Sequence, residues 1–424
     1  MLPGFGGLWR NPEFRLLWLG ETVSATGSAV SRLAIPLTAS LQLGASPFQM
    51  GLLGASQSVP FLLLGLIAGV WVDRLRRRPI MLAADLGRVV LLATIPLAAF
   101  ASVLRLEHLL LVSVGVGVLN VFFDVAYGSF LPSLVRREVL AEGNAKLALS
   151  AEIARVSGPG LAGLLVQLLT APIAIIVDAA SFLVSAVALV RIRPSEAPVV
   201  PSPQRRGVWA EMMEGLQLIV GHPILRPLIG STGLGNIGDG LFSGGVFVLF
   251  TTRELGIEPV VLGAILSGVG VGGLVGAALS GPVTHRFGIG PVFVGVRLLW
   301  GVSYLATAFV GGPPPVAAAL LGAALAIVGM VNPLAGAHFA SLCQAVTPER
   351  LLGRLTATHR VAMWGGVTLG SLLGGALGET VGLRPVLAMA GLLPMLGFVW
   401  LLFSPVRELR SLPAPPPELV PAGR

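Results

Sequence analysis

Ionisable side chains interrupt otherwise apolar stretches throughout this sequence. They are Glu21, Arg32, Asp85, Arg88, Asp124, Glu152, Arg155, Asp178, Asp239, Arg297, His338, His359 and Arg360. Because a charge inside a long apolar stretch is costly in free energy, each is a candidate for ion pairing, ligand binding or proton exchange. A carboxyl group in such surroundings can gain and lose a proton near neutral pH, and this chemistry can couple another process to proton flow.

The spacing of these residues predicts which of them act together. Glu21 and Arg32 stand about three helical turns apart and share a helix face, and Glu152 and Arg155 form an i, i+3 pair. Flanking glycines indicate a bend around Asp239. We take Asp239, Glu152 and Glu21, in that order, as candidate proton-coupling residues and the two arginines as candidate substrate contacts. Asp85 and Arg88 stand near a predicted helix end, which favours a structural role.

Patterns typical of enzymes fail on inspection. The glycines Gly268, Gly270 and Gly273 match a dinucleotide-binding fingerprint, but they lie inside an apolar stretch with no preceding strand. The single lysine, Lys146, follows Ala145 and belongs to no phosphate-binding loop. The five histidines have no metal-ligand spacing. We therefore predict no catalytic residue, no metal and no cofactor, and a protein that is not an enzyme.

The elements that must position these residues are membrane-spanning helices. Hydrophobic residues make up 54% of the 424-residue chain and charged residues 11%, with a mean hydropathy of +0.87, whereas soluble domains carry roughly 25% charged residues. The apolar runs are long and continuous, as in helices rather than barrel strands. We predict an all-α membrane protein with twelve spans, approximately at 16–42, 49–72, 80–103, 107–131, 145–169, 172–192, 223–251, 259–284, 291–311, 315–343, 355–381 and 384–404.

The positive charges predict the orientation of these spans. Twenty lysines and arginines fall in the termini and alternate loops, against three in the opposite loops. By the positive-inside rule, both termini and the long middle loop are cytoplasmic in a multi-pass protein of the cell inner membrane. The net charge of +8 is thereby explained by topology, so we expect membrane lipids and no nucleic acid as partners.

The chain divides into two similar parts. Residues 1–192 form a first six-helix half, 193–222 a cytoplasmic linker with an amphipathic helix, 223–410 a second six-helix half, and 411–424 a proline-rich cytoplasmic tail. The segment GVWVDRLRRR, from Gly69, aligns with GPVTHRFGIG, from Gly281, at an offset of 212 residues. Parallel six-helix repeats are typical of one large class of secondary transporters.

The first of these segments resembles the loop motif G-x-x-x-D-R-x-G-R-R/K of the major facilitator superfamily, with Arg76 where the family prefers glycine. The resemblance implies two six-helix pseudo-repeats that rock around a central cavity. It also implies an inner gate, in which an arginine of the loop pairs with a carboxylate on the fourth helix. The corresponding residues here are Gly69, Asp73, Arg74, Arg77, Arg78 and Asp124.

A second motif lies in the fifth predicted span, where Gly158, Pro159 and Gly163 match G-P-x-x-G-G of exporters in this superfamily, with Ala162 replacing one glycine. The stretches FRLLWLGETVSATGSAVSRLAIPL, FFDVAYGSFLPSLVRREVLAEGNA and VDAASFLVSAVALVRIR resemble the macrolide-efflux and enterobactin-exporter subfamily. This resemblance implies export of small organic molecules, such as drugs or siderophores, coupled to proton entry. The alternatives are a lipid or lysophospholipid translocator, an importer of the same fold, and a membrane-embedded enzyme or receptor.

Overall fold

The computed structural model describes residues 7–72, 75–193 and 208–413, and within these ranges the chain is helical and contains no β-strand. The all-α prediction is confirmed. Nine of the described helical segments are long and apolar enough to cross a membrane, and the figure of twelve spans stays a prediction. The helices are α1 (Pro12–Leu37), α2 (Pro47–Val72), α3 (Arg77–Phe100), α4 (Leu106–Leu134), α5 (Leu140–Leu168), α6 (Ala171–Arg191), α7 (Val208–Gly221), α8 (Leu225–Ser243), α9 (Val246–Leu249), α10 (Pro259–Phe287), α11 (Ile289–Ala308), α12 (Pro314–Val346), α13 (Glu349–Val381) and α14 (Leu383–Leu402).

Local sequence explains where several of these helices begin and end. Proline occupies the first turn of α1, α6, α10 and α12, where its missing N–H needs no partner. The Asn11 side chain caps α1 by accepting the backbone N–H groups of Glu13 at 3.0 Å and Phe14 at 3.3 Å. Gly288 and Gly382 end α10 and α13 with φ values of 91° and 90°, which glycine adopts without strain.

Helix boundaries repeat along the chain at an offset of 212 residues. Two π-helical turns, Thr38–Gln42 after α1 and Phe250–Glu254 after α9, stand at this offset. The first residues of α2 and α10, of α3 and α11, and of α6 and α14 do so as well. The same offset separates the two copies of the loop motif in the sequence. Residues of α2, α3, α6 and the first π-turn therefore have counterparts 212 residues later in α10, α11, α14 and the second π-turn.

The seventh predicted span, 223–251, differs from a continuous helix. Helix α8 ends at Ser243, Gly245 takes a φ of 93°, and α9 begins at Val246. The adjacent Gly244 and Gly245 make this break possible, because a residue with a β-carbon would be strained at such a φ value.

The linker predicted for 193–222 is described from residue 208 onward, where α7 forms, and residues 194–207 lie outside the described ranges. Helix α7 is joined to α13 by an ion pair between Glu214 and Arg354. His222 connects α7 to α8, and its Nδ1 atom accepts two backbone N–H groups at 3.2 and 3.3 Å. Burial lowers the pKa of His222, which keeps this nitrogen free to accept them.

The helices pack as two groups that touch along two crossings. In the first group α1 contacts α5 and α6, α3 contacts α4 and α6, and α2 contacts α4. In the second group α8 contacts α13 and α14, α11 contacts α12 and α14, and α10 contacts α12. The groups meet where α2 crosses α13 and where α5 crosses α10.

The apolar core reveals a difference between the two ends of the bundle. We call the end at which α1 begins the basic end, and the end with the two π-turns the far end. Near the far end, one cluster of buried residues joins both groups and includes Leu37, Met50, Phe250 and Val386. At the basic end each group has its own cluster, around Phe130 in the first and Phe293 in the second. The groups are thus fused at the far end and separate at the basic end.

Candidate functional site

A cavity of about 650 Å³ lies between the two groups of helices. Helices α1, α2, α3, α4 and α6 form its wall on the first group, and α8 and α13 form its wall on the second. The charged side chains that line it are Glu21, Arg32, Arg88, Asp124 and Asp178. All five belong to the first group, so the cavity has one charged wall.

Arg88 is the most heavily constrained of these charges. Its guanidinium forms an ion pair with Asp85, one turn earlier on α3, and donates to Asn120 Oδ1 at 2.9 Å. It also lies 4.3 Å from the centre of the Phe123 ring and 4.0 Å from that of Phe182, within the range of cation–π attraction. The sequence favoured a structural role for Asp85 and Arg88, and the structure places Arg88 on the cavity as well.

The other four charges have fewer partners. Arg32 is exposed to the cavity and forms no ion pair or hydrogen bond with a described residue. The Oε1 atom of Glu21 is buried without a hydrogen-bond partner in the described part of the chain. Asp178 accepts the hydroxyl groups of Ser28 and Ser181, each at 3.3 Å.

Asp124 is exposed to the cavity on α4. It is attracted by the positive charges of Arg88, from its own group of helices, and of Arg360, from the opposite group. Asp124 is therefore the cavity carboxylate whose electrostatic environment changes most directly when the two groups move relative to each other.

The second group contributes aromatic and hydroxyl surface. Trp364 of α13 stacks on Phe61 of α2, with ring centres 4.6 Å apart, and the hydroxyl groups of Ser58 and Thr368 lie 2.7 Å apart. The break between α8 and α9 also faces the cavity through Gly244 and Gly245. Among the described lining residues of this group, none is acidic or basic.

The two π-turns contact each other at the far end, across the boundary between the groups. The hydroxyl groups of Ser40 and Thr252, equivalent positions in the two repeats, lie 3.2 Å apart. Next to them, Nη2 of Arg253 donates to the backbone carbonyls of Ser40 at 3.2 Å and Ala45 at 2.8 Å. One side chain of the second group therefore holds two backbone carbonyls of the first.

Two glycines of α2 that lie nearer the basic end have no described neighbour. On α2, an added β-carbon at Gly65 or Gly69 would meet no described atom within 4 Å, one and two turns beyond the contact of Phe61 with Trp364. Gly69, the first residue of the predicted inner-gate motif, is therefore not packed against a described helix in this conformation.

The rest of the inner-gate motif is described in part. Asp73 and Arg74 lie outside the described residues. Arg77 begins α3, and Arg78 ties α3 to the end of α6 by donating to the carbonyls of Leu189 at 2.7 Å and Val190 at 2.5 Å. The inner-gate assignment of these residues and of Asp124 stays a prediction.

The fifth-span motif lies at two helix contacts. A β-carbon added to Gly158 would clash with Ala29 of α1, within the first group. A β-carbon added to Gly163 would clash with the backbone of α10, across the boundary between the groups, and Gly160 N–H donates to Ser267 Oγ of α10 at 2.9 Å. The motif lets α5 lie close to two helices at once, as expected for small residues in a membrane.

Two of the predicted coupling carboxylates lie away from the cavity. Asp239 accepts the hydroxyl of Tyr304 at 2.8 Å, and Glu152 is bound to Arg155 at 2.6 Å. Neither is among the described residues that line the cavity. Glu21 and Arg32, which share a helix face as predicted, both line it.

Sequence reasoning missed the stacked pair Phe61 and Trp364 and the contact made by Arg253. The aromatic pair contains no ionisable group, and nothing in a single sequence indicates that these two rings stack on the cavity. Arg253 did carry a signal, because it is one of only three basic residues in the sparse loops and directly follows Thr252, the counterpart of Ser40 in the repeat.

Comparison with known proteins found a matching family model and relatives that cover nearly the whole chain. The family model described as transmembrane secretion effector matches residues 7–421. The multidrug efflux pump Tap of Mycolicibacterium fortuitum is 27% identical over 413 residues, covering 94% of this chain and 97% of the relative. The enterobactin exporter EntS of Salmonella typhimurium is 23% identical over 423 residues, covering 96% of this chain and 95% of that protein.

Solved structures with the same fold include a bacterial homologue of the iron transporter ferroportin in an inward-facing state. Its TM-score is 0.76 at 17% identity, over 93% of this chain and 98% of that one. The nucleoside transporter NupG (D323A mutant) also has a TM-score of 0.76, at 12% identity, over 92% of this chain and 99% of the other. At these identities the likeness establishes the fold alone.

Proposed function

Since the chain belongs to the transmembrane secretion effector family of major facilitator transporters, we propose that it is a proton-coupled exporter of small organic molecules that works by alternating access. It is a multi-pass membrane transporter and not an enzyme, like its family and its relatives. The proton, the direction and the substrate class are our proposals. The observation that supports them is that the charged residues described along the central cavity all lie on the first group of helices.

The proposed orientation has both termini in the cytoplasm, with the basic end inside. In that orientation the cavity described above opens to the cytoplasm and is closed toward the exterior by the π-turns. The inward-facing state of the ferroportin homologue, which shares the fold, agrees with this interpretation. An exporter in this state is ready to load its substrate from the cytoplasm.

We place proton coupling at Glu21 first and Asp124 second. Both line the cavity, and neither forms an ion pair with a described residue, so each can change its charge without breaking a salt bridge. Asp178 is already fixed by two serine hydroxyls. This order replaces the ranking from sequence, because Asp239 and Glu152 are engaged elsewhere.

The cavity supports an organic substrate of drug or siderophore size. Ligand pockets typically measure about 300–1,000 Å³ and combine apolar walls with a few polar groups. Here Phe61 and Trp364 provide flat apolar surface, while Arg32 provides a positive charge that forms no hydrogen bond or ion pair with a described residue. The relatives named as a multidrug efflux pump and an enterobactin exporter support the same substrate class.

When the far end opens, the basic end must close. We propose that Asp73, Arg77 and Asp124 form the inner gate in that state, with Arg360 of the second group adding a second positive charge opposite Asp124. The carboxylate would then be held by cations from both groups. Protonation of Asp124 would weaken that attraction, which links the proton to the gate.

The test is substrate-dependent proton movement in proteoliposomes. Purified protein is reconstituted with a pH-sensitive dye inside, and chemically varied compounds are added without and with an imposed pH gradient. We expect at least one lipophilic drug or catecholate siderophore to drive proton movement opposite to its own. Uphill transport that persists after the proton gradient is collapsed by an ionophore would refute proton coupling.

A further inference from the structure

Arg297 is a buried cation in the second group of helices. It lies on α11 with 2% of its surface exposed, and its Nη2 atom donates to Thr232 of α8 at 2.7 Å. The guanidinium carbon lies 5.0 Å from the centre of the Phe293 ring and 5.3 Å from that of Trp300. Among the described residues, no carboxylate is within ion-pair distance of Arg297. An uncompensated charge in such surroundings is strongly unfavourable.

The first repeat shows how this chain neutralises a similar cation. Arg88 also lies between two aromatic rings, Phe123 and Phe182, but Asp85 is paired with it. The residue equivalent to Asp85 at the 212-residue offset is Arg297 itself. The second repeat therefore keeps a guanidinium between aromatic rings and lacks the carboxylate. Asp239, two turns beyond Thr232 on α8, accepts the hydroxyl of Tyr304.

The surroundings of Arg297 supply further hydrogen-bond donors. Its own Nε and the amide nitrogen of Asn236, one turn beyond Thr232 on α8, are buried without a hydrogen bond to any described residue. The Nε2 atom of His359, on α13, is also buried without a described partner, and it is a donor in the tautomer that carries the proton on Nε2. The Thr232 hydroxyl donates to Leu228 O at 2.9 Å, so only its lone pair faces Arg297. Buried donors of this kind normally have an acceptor.

Two positive charges of the second group act on His359. His359 is close enough to be influenced by the charges of both Arg297 and Arg360. Its ring also packs against Phe339 of α12, with ring centres 4.3 Å apart. Helices α8, α11 and α13 thus each contribute a buried nitrogen without a described hydrogen-bond partner to the interior of the second group.

We propose that this cluster is a binding site for a small monovalent anion of the chloride class, with Arg297 as its counter-charge and Asn236 as a neutral donor. Aromatic walls favour weakly hydrated ions such as chloride, bromide and nitrate over sulfate or phosphate, because the walls cannot replace a strong hydration shell. One guanidinium balances one negative charge. The site is separate from the charged wall of the cavity, so it stands whether or not the transport proposal holds.

The first test is thermal unfolding of the purified full-length protein in detergent at constant ionic strength. Gluconate is replaced stepwise by chloride, bromide, nitrate, acetate or sulfate. We expect a saturable rise in the unfolding temperature with the first three ions. Arg297→Gln should abolish the rise, and Asn236→Leu should raise the half-saturating concentration at least tenfold. Arg407→Gln, an exposed cation paired with Glu408, should respond like the parent.

The second test uses Trp300 as a probe beside Arg297. Bromide should quench a saturable fraction of tryptophan fluorescence, chloride should compete, and Trp300→Phe should remove that fraction. If Arg297→Gln does not fold, Arg297→Lys takes its place and should weaken binding while keeping the charge. An equal, non-saturating response of parent and Arg297 variants would overturn the proposal. Stabilisation by acetate but not by halides would overturn it too, since the site would then recognise a carboxylate.

Discussion

Arg253 provides the sharpest test of how the far end closes. Its side chain is the hydrogen-bond donor that joins the second group to the carbonyls of Ser40 and Ala45. A hydrogen bond from a charged donor contributes about 1.5–3 kcal/mol. Because Arg253 is exposed, solvent weakens both bonds, and we take about 2 kcal/mol for the pair. Arg253→Gln should therefore raise the open fraction of the far end about 30-fold.

The assay measures that open fraction by labelling. Ser371 lies beneath the closed end and is 1% exposed. In a background without Cys343, the only cysteine of the chain, Ser371→Cys is exposed to a membrane-impermeant maleimide added at the far end alone. The labelling rate reports the open population, provided that closing is faster than reaction, and it should rise about 30-fold in Arg253→Gln.

The matched control is Arg105→Gln. Arg105 is another exposed cation of the sparse loops, and its side chain has no hydrogen bond or ion pair with a described residue. Its removal should leave the labelling rate of Ser371→Cys unchanged. If Arg253→Gln labels within threefold of the parent while remaining folded, the π-turn contact does not hold the far end closed.

Three further predictions concern the cavity and the helix contacts. Glu21→Gln should lose uphill transport while keeping downhill exchange in proteoliposomes; retention of uphill transport would remove Glu21 from the coupling step. Asp85→Asn leaves Arg88 buried without its ion-pair partner and should destabilise the protein by about 3 kcal/mol, measured as a lower unfolding temperature in detergent; an unchanged temperature would contradict the pairing. Gly163→Val should reduce transport at least tenfold, because the side chain would meet the backbone of α10, whereas Gly322→Val, with no described atom nearby, should transport normally; equal activities would show that close α5–α10 contact is not required.

The sequence alone was sufficient for the features that depend on one helix at a time. Long apolar runs located the helices, since each buries its own backbone hydrogen bonds in lipid. The loop motif and its copy gave the 212-residue offset that the helix boundaries later displayed. The resemblance to exporters identified the superfamily to which the matched family belongs.

Only the tertiary structure decided which charges share a cavity. Asp239 and Glu21 are both acidic residues in apolar stretches, and sequence ranked Asp239 first. In a helical bundle, however, each helix has faces toward lipid, toward its neighbours and toward the cavity. Packing against helices distant in the chain determines which of these surroundings a residue has. Helix α11 supplies Tyr304 to Asp239, whereas Glu21 lines the cavity between the groups.

Contacts between helices also give Arg88 and Arg297 different surroundings. Both are arginines inside equivalent helices, but only Arg88 has an acidic residue, Asp85, one turn earlier in the sequence. Packing gives Arg88 a place on the cavity and two aromatic rings from other helices, while its carboxylate, Asp85, stands one turn earlier on the same helix. Packing gives Arg297, which lies beside two aromatic rings of its own helix, the Thr232 hydroxyl and no described carboxylate. Hydropathy along a chain indicates which charges lie in apolar spans, and a partner one turn away can be read from the sequence, but contacts with other helices form only when the helices assemble.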